Sequence, residues 1–250
     1  MLDNWPRPMI FAHRGASAHA PENTLAAFEL AHKQGAQGIE LDAKLSADGQ
    51  VVVIHDARLE RTTDGHGRVA RQTFPALREL DAGSFFSEKF QGERIPSLGE
   101  VFEAVGKKLY VNVELTNYST PGDGLVARVA DLVKYHGMQA RVIFSSFSPL
   151  NLSRIARLLP EVPRGLLAFG GWLGWWARSF GFAFGSYAAL HPYLSDVTLA
   201  QVRRVQRLKR RIHVWTVNLS EDMRRMRDWG VDAVITDDPG LATQEFGRPA

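Results

Sequence analysis

A chain of 250 residues, 45% apolar and 23% charged, is long enough for one α/β barrel or two smaller domains and apolar enough for a real core. It contains no cysteine, which excludes disulfides, thiolate metal sites and cysteine nucleophiles. The formal net charge is only +3, and much of that surplus is local, with Arg203, Arg204, Arg207, Lys209, Arg210 and Arg211 inside nine residues.

Residues 1–8 lack the charged start, apolar core and cleavage site of a secretory leader, and a cytoplasmic location is expected. Residues 9–12 read as a first strand and 22–34 as its helix, with Leu25, Phe28 and Ala31 on one face. A second strand spans 39–41. Residues 51–54 are extended too, but the turn signal Ala47-Asp48-Gly49 leaves no room for a crossover helix. They are expected to return antiparallel, as a hairpin arm outside the barrel count. A polar, turn-rich insertion follows, at approximately 57–96. Ser97 and Glu100 then have capping-box spacing at the start of a helix over 97–105.

The remaining pattern is regular. Strands are expected at 109–114, 141–145, 165–168, 187–190, 212–217 and 233–236, and helices at 124–135, 149–159, 199–209 and 220–228. Without the hairpin arm the strands number eight, which favours a closed eight-stranded β/α (TIM) barrel over an open doubly wound sheet. The expected organisation is one domain over residues 1–250, with the small insertion after the second barrel strand.

Chemistry in such a barrel collects at the carboxyl ends of the strands. Those ends supply His13 and Arg14, Glu40 and Asp42, His55 and Asp56, Asn112 and Glu114, Ser145 and Ser146, His191, Trp215 and Asn218, and Asp237 and Asp238. Residues two apart on a strand share a face, so Glu40 and Asp42 line the mouth together, as do Asn112 and Glu114. Pairing the hairpin about its turn near Asp48 places His55 roughly opposite Asp42.

Three carboxylates without cysteine favour one hard divalent cation, magnesium or calcium, over zinc. His13 and His55 are the expected proton carriers. Arg14 has the fork geometry to hold a phosphate, or else pairs with Asp238 or Glu40. His191 is a candidate ligand contact. Trp215 is either an apolar wall over the ligand or core packing. Asn23 either caps the first helix or touches ligand. Ser145 and Ser146 lack a histidine–aspartate relay and read as hydrogen-bonding groups.

Residues 165–190 carry one charge, Arg178, and six aromatics from Trp172 to Phe184. Five glycines break the run, so two strands joined by an apolar loop or short helix are expected instead of a membrane span. The tryptophans suggest peripheral contact of 172–184 with lipid or an apolar substrate tail. The basic run reads as a solvated barrel helix away from the mouth, so no nucleic-acid partner is expected.

Several motifs together resemble the glycerophosphodiester phosphodiesterase family over about residues 10–239. They are His13-Arg14-Gly15, Pro21-Glu22-Asn23-Thr24, Glu40-Leu41-Asp42, His55-Asp56 with Arg61-Thr62-Thr63, and Asn112-Val113-Glu114. Ser145-Ser146-Phe147, Trp215-Thr216-Val217-Asn218, Gly230-Val231-Asp232 and Thr236-Asp237-Asp238-Pro239 follow in order. The resemblance implies Glu40, Asp42 and Glu114 as metal ligands, His13 and His55 as the acid–base pair, and Arg14 as a phosphate contact. It implies attack by the glycerol 2-hydroxyl, a cyclic phosphate opened by water, and glycerol 3-phosphate plus an alcohol as products.

The implied ligand is a small glycerophosphodiester or a lysolipid; a lysophospholipase D-type activity is the alternative, and a non-catalytic phosphate-binding protein is a further one. One departure motivates the latter. Relatives usually have lysine two residues after the third carboxylate, where this chain has Thr116. Arg14 or Arg61 is expected to supply the missing cation.

Overall fold

The computed structural model describes residue 2 and residues 4–247. Among these, nine strands form one sheet: β1 (Met9–His13), β2 (Gly38–Leu45), β3 (Val51–Val53), β4 (Tyr110–Leu115), β5 (Val142–Ser146), β6 (Arg164–Ala168), β7 (Ala189–Pro192), β8 (Arg211–Val214) and β9 (Ala233–Thr236). Eight are parallel neighbours, and pairing of β1 with both β2 and β9 closes the ring. β3 pairs antiparallel with β2 on the outside, as the short turn requires. The barrel expectation holds.

The helices are α1 (Leu25–Lys33), α2 (Phe74–Arg78), α3 (Leu98–Val105), α4 (Leu125–Tyr135), α5 (Pro149–Leu158), α6 (Phe182–Phe184), α7 (Leu199–Arg207), α8 (Ser220–Trp229) and α9 (Pro239–Phe246). Outward faces of the strands and inward faces of the helices form the two large apolar layers. Ile39, Leu41, Val111 and Val113 pack with Phe28, Val101 and Val129 on one side, and Leu190, Ile212 and Val234 with Val202, Met223 and Met226 on the other. Each such side chain contributes about 1.5–3 kcal/mol on burial.

The barrel interior is apolar at its base. Met9, Phe11, Ile143, Ala189, Ala233 and Ile235 meet there, and Trp5 closes the end with its ring 4.3 Å from that of Tyr110. Arg211 is buried at this base, donating to the carbonyls of Leu2, Trp5 and Pro6. The expected basic helix is therefore shorter than its sequence run. α7 ends at Arg207, Arg211 lies on β8, and Arg210 donates to the carbonyl of Phe182.

Local chemistry explains the other differences. α1 starts later than expected because Thr24, not Asn23, caps it, accepting from Ala27 N at 3.3 Å. Ser97 and Glu100 form the expected capping box on α3. α9 was not anticipated, although its signal is present: Asp238 accepts from Leu241 N at 2.9 Å, and Pro239 occupies the first turn. Between β3 and α3, the short helix α2 and its flanking turns enclose Leu59, Val69, Leu77 and Ile95 against Val52 and Ile54.

The apolar stretch 165–190 is β6, a helical run with a π-helical stretch at Ala177–Gly181, and the start of β7. No described helix is long and apolar enough to cross a membrane.

Candidate active site

Strand register assembles the acidic centre. His13 is level with Glu40, Glu40 with Asn112, and Asp42 with Glu114. Because side chains alternate, these residues share the inward face at the carboxyl ends. One oxygen from each of Glu40, Asp42 and Glu114 lies within 4.8 Å of the others.

Three carboxylates this close cannot all be charged unaided. Burial and the charges of Asp42 and Glu114 push Glu40 well above the usual carboxylate range. Burial and Asp42 push Glu114 up to about 8. Burial opposes ionisation of Asp42 as well, but Arg14, His55, a hydrogen bond from Asn23 and Lys44 hold it below its ordinary value. The buried Asn112 Oδ1 beside them has no hydrogen-bond partner among the described residues. An all-oxygen donor set whose charges need neutralising fits a hard divalent cation.

The chain bends sharply to frame this centre. Arg14 and Asn23 both have left-handed backbones, at φ 55° and 59°, a conformation that costs roughly 1–3 kcal/mol in a non-glycine residue. Contacts offset it. Arg14 N donates to Glu40 Oε2 at 3.1 Å, and Asn23 Nδ2 donates to Asp42 Oδ2 at 2.9 Å. Asn23 thus orients the Asp42 carboxylate, a role that neither expected reading, helix cap or ligand contact, had named. Gly15 allows the turn, since a Cβ there would lie 2.7 Å from the Ala27 backbone carbon.

Each candidate histidine is paired with an aspartate. His13 Nδ1 is 2.6 Å from Asp237 Oδ1, and His55 Nδ1 is 2.6 Å from Asp56 Oδ1. In both, the remaining Nε2 is free to exchange a proton. Burial tends to raise Asp237, but hydrogen bonds from His13, Asn218 and Ser17 carry it below its ordinary value. Hydrogen bonds from Arg61 and His55 hold Asp56 down to about 2. The hairpin brings His55 to Asp42 as expected, to within one residue: Ile54 lies opposite Asp42, with Ile54 N bonded to its carbonyl at 3.0 Å, and His55 follows.

Arg14 pairs with Glu22 at 3.0 Å and approaches Asp42 at 3.4 Å, not Asp238. Arg61 from the insertion donates to both Glu22 and Asp56. The Arg61 fork is committed to those carboxylates and lies outside the cavity lining, whereas Arg14, the other expected cation, lines it. A second cation also stands at Thr116: Lys44 Nζ reaches across from β2 to donate to Thr116 Oγ1 at 2.8 Å and Thr116 O at 3.1 Å. Burial lowers the Lys44 ammonium's pKa despite the opposing influence of Asp42, Glu114 and Asp56.

These groups line a cavity of about 670 Å³: His13, Arg14, Glu40, Lys44, His55 and Glu114 on its polar side. Asp42 lies behind them, 1% exposed. The opposite wall is aromatic. Phe147 and Phe169 stack with centroids 3.8 Å apart, and Trp215 meets Phe147 edge-on at 5.7 Å. Tyr118 joins the two sides, donating to Glu114 Oε1 at 2.8 Å and contacting Ser146 Oγ at 3.2 Å. Ser146 donates to Leu115 O at 3.0 Å, as its expected hydrogen-bonding role requires, whereas Ser145 lines the cavity and its buried Oγ has no hydrogen-bond partner among the described residues.

His191 is a correction. It is fully buried and absent from the cavity lining, with its ring 4.7 Å from that of His213. A Cβ at Gly165 would collide with its imidazole, so the small residue opposite makes the room His191 occupies inside the barrel. The tryptophan indole of Trp215 caps it, donating to the His191 carbonyl at 2.8 Å.

Lys44 and Tyr118 are the groups that motif reading passes over, and Asp237 is named by it at a strand end without a role. The period-two alternation linking Glu40 to Asp42 reaches Lys44 one step later, and the same alternation along β9 leads from Ile235 to Asp237. Tyr118 follows β4 in a short turn and carried no periodic signal.

Comparison with known proteins agrees with this architecture. Residues 13–241 match the model of the glycerophosphoryl diester phosphodiesterase family. A glycerophosphodiester phosphodiesterase of Caldanaerobacter subterraneus subsp. tengcongensis is 40% identical over 234 residues, covering 93% of this chain and 95% of that protein. An Oleispira antarctica phosphodiesterase, solved in complex with the product sn-glycerol-3-phosphate, superposes with a TM-score of 0.87 at 33% identity, covering 96% of each chain. A glycerophosphodiester phosphodiesterase from Agrobacterium tumefaciens gives 0.82 at 30% identity, covering 94% of this chain and 99% of the other. With the family model spanning most of its length, this chain belongs to the glycerophosphoryl diester phosphodiesterase family.

Proposed function

We propose that this protein hydrolyses glycerophosphodiesters to glycerol 3-phosphate and an alcohol, using Glu40, Asp42 and Glu114 to hold a magnesium or calcium ion. The observation that carries the reading is one cavity lined by two aspartate-braced histidines, with three convergent carboxylates between them. When bound, the cation would supply neutralisation of the phosphate oxygens and a lowered pKa at a nearby hydroxyl. His13 and His55 carry the protons: one imidazole accepts from the attacking hydroxyl, and the other donates to the departing alkoxide. Asp237 and Asp56 hold each ring in the tautomer that presents Nε2. Arg14 and Lys44 hold phosphate oxygens, Arg14 by its fork and Lys44 as a compact charge beside Thr116. We read residues 1–250 as one barrel domain, with 57–96 as an insertion whose Arg61 braces Glu22 and Asp56.

The test is turnover of glycerophosphocholine with magnesium, with calcium and with chelator. The reading requires cation-dependent release of glycerol 3-phosphate that is lost in His13→Ala. Phosphate-ligand binding with no turnover under any of these conditions would leave a binder instead.

A second reading, hydrolysis of lysophospholipids with peripheral lipid contact through 172–184, is favoured by the aromatic wall. Phe169 is half exposed and stacked on Phe147, so the wall runs from the cavity toward the apolar loop. Long-chain lysophosphatidylcholine, compared with glycerophosphocholine after correction for micelles, distinguishes the two. A preference for the lysolipid that Phe169→Ser removes supports the second.

A further inference from the structure

Seven of the sixteen exposed large apolar side chains among the described residues fall between Phe169, which lines the cavity, and Phe184, on the segment that joins β6 to β7. Trp172 and Phe184 are each 84% exposed, and Trp175 is 59% exposed. Scattered surface apolar groups need no explanation, but a concentration of this size beside an active site does.

The segment is braced so that its outer face presents no charge. Its one charged residue, Arg178, is turned inward: it pairs with Asp196 at 3.1 Å and donates to the carbonyls of Phe169 and Gly171. Asp196 also accepts from Gly171 N at 2.6 Å. Phe182 is the inward anchor, buried among Val202, Val205 and Leu190. The aromatics are therefore held outward by a polar scaffold.

A basic rim adjoins this face. Arg204 on α7 donates to Ser179 O at 3.3 Å, and the Arg210 guanidinium lies 4.9 Å over the Phe182 ring while donating to its carbonyl. Arg203, Arg207 and Lys209 are exposed on and just after the same helix. Tryptophan and phenylalanine flanked by arginine is the composition that settles at the boundary between lipid headgroups and acyl chains. A protein partner would be expected to meet the rim with acidic groups. A bilayer meets both features at once, with acyl chains for the rings and anionic headgroups for the arginines.

We infer that the Phe169–Phe184 face and the basic rim of α7 form a docking surface for an anionic lipid bilayer. The inference rests on the proposed reaction only in the substrate such a bilayer would supply, a phosphodiester with a lipid alcohol; binding itself is independent of turnover.

The experiment is cosedimentation of the full chain with phosphatidylcholine vesicles, alone or containing roughly one third phosphatidylglycerol. Binding is expected to the anionic vesicles and to be weakened by salt. Replacing Trp172, Trp175 and Trp176 together by serine should weaken it more than about tenfold, because three interfacial rings are lost. Arg203→Gln with Arg207→Gln should weaken it by about fivefold per arginine.

Turnover of glycerophosphocholine in solution serves as the folding control and should be unchanged in both variants. Equal binding to neutral vesicles overturns the role of the rim. No binding to either overturns the inference, and so does a concentration-dependent dimer that the tryptophan variant abolishes. Vesicle binding by a protein that fails to cleave any glycerophosphodiester would sink the proposed reaction and leave the docking surface standing.

Discussion

Asp237 holds Nδ1 of His13 at 2.6 Å across a sequence separation of 224 residues. The pair spans the seam where β9 meets β1 and closes the barrel, so this histidine–aspartate geometry is complete only when the whole ring has formed. Asn218 Nδ2 steadies the other carboxylate oxygen at 2.6 Å.

Asp237→Asn should therefore impair turnover without unfolding the protein. An amide can donate to Nδ1, which favours the tautomer with its proton on Nε2. The expected loss in kcat is about 10²–10⁴-fold, the range for general acid–base groups, with little change in KM. Steady-state kinetics alongside a melting curve would check this. A kcat within threefold of wild type would remove Asp237 from the mechanism.

Much of this arrangement was legible in the sequence because strand alternation is rigid. Once Glu40, Asp42 and Glu114 were placed at strand ends, a parallel ring left few ways for them to avoid meeting. His55 was legible for a different reason: the turn around Asp48 is too short to lead anywhere except back along β2. What sequence could not give was the third dimension of the side chains. His191 sits at a strand end and has the same chemistry as His13, yet the small Gly165 opposite lets its ring lie inside the barrel. Nothing local distinguishes the two. Lys44 was overlooked because its partner, Thr116, is 72 residues away and neutral.

Lys44→Met should lower kcat/KM for a glycerophosphodiester by about 10–10³-fold, since a preorganised charged donor near the transition state is removed. Thr116 and Lys44 occupy one spot from two strands, which provides a rescue. Adding Thr116→Lys to Lys44→Met returns an ammonium from β4, and at least tenfold recovery is expected. Failure of the double variant to recover, with both proteins folded, would mean that Lys44 acts through packing and not through charge.

Cation affinity should depend on pH with a definite sign. In the metal-free protein Glu114 is raised to about 8, so below that value it carries a proton which an incoming cation must displace. Affinity should rise as pH increases from 6 through about 8, by up to about tenfold per pH unit for each displaced proton. Calorimetric titration with magnesium or calcium in buffers of different ionisation enthalpy counts that proton directly. Glu114→Gln should remove the proton that this carboxyl contributes, together with much of the affinity, and leave the dependence that the raised Glu40 contributes. Tighter binding at pH 6 than at pH 8 would contradict the carboxylate centre.

The buried His191 makes an opposite demand on stability. Burial drives its pKa down to about 3, against about 6.5 in an unfolded chain. The folded imidazole is neutral throughout this window, while the unfolded one gains a proton as pH falls below about 6.5. Stability supported by the neutral ring is thus complete above 6.5 and is lost on acidification, at about 1.4 kcal/mol per pH unit until roughly pH 3. The raised carboxyls of Glu40 and Glu114 act in the other sense, being protonated in the fold before they are in the unfolded chain. The His191→Met difference from wild type isolates the imidazole, because methionine removes the titrating group and keeps an apolar side chain of adequate length. Denaturant unfolding from pH 7 to pH 4 should show the variant losing less stability than wild type on the acid side. Parallel curves for the two proteins would mean that His191 does not stay neutral in the fold.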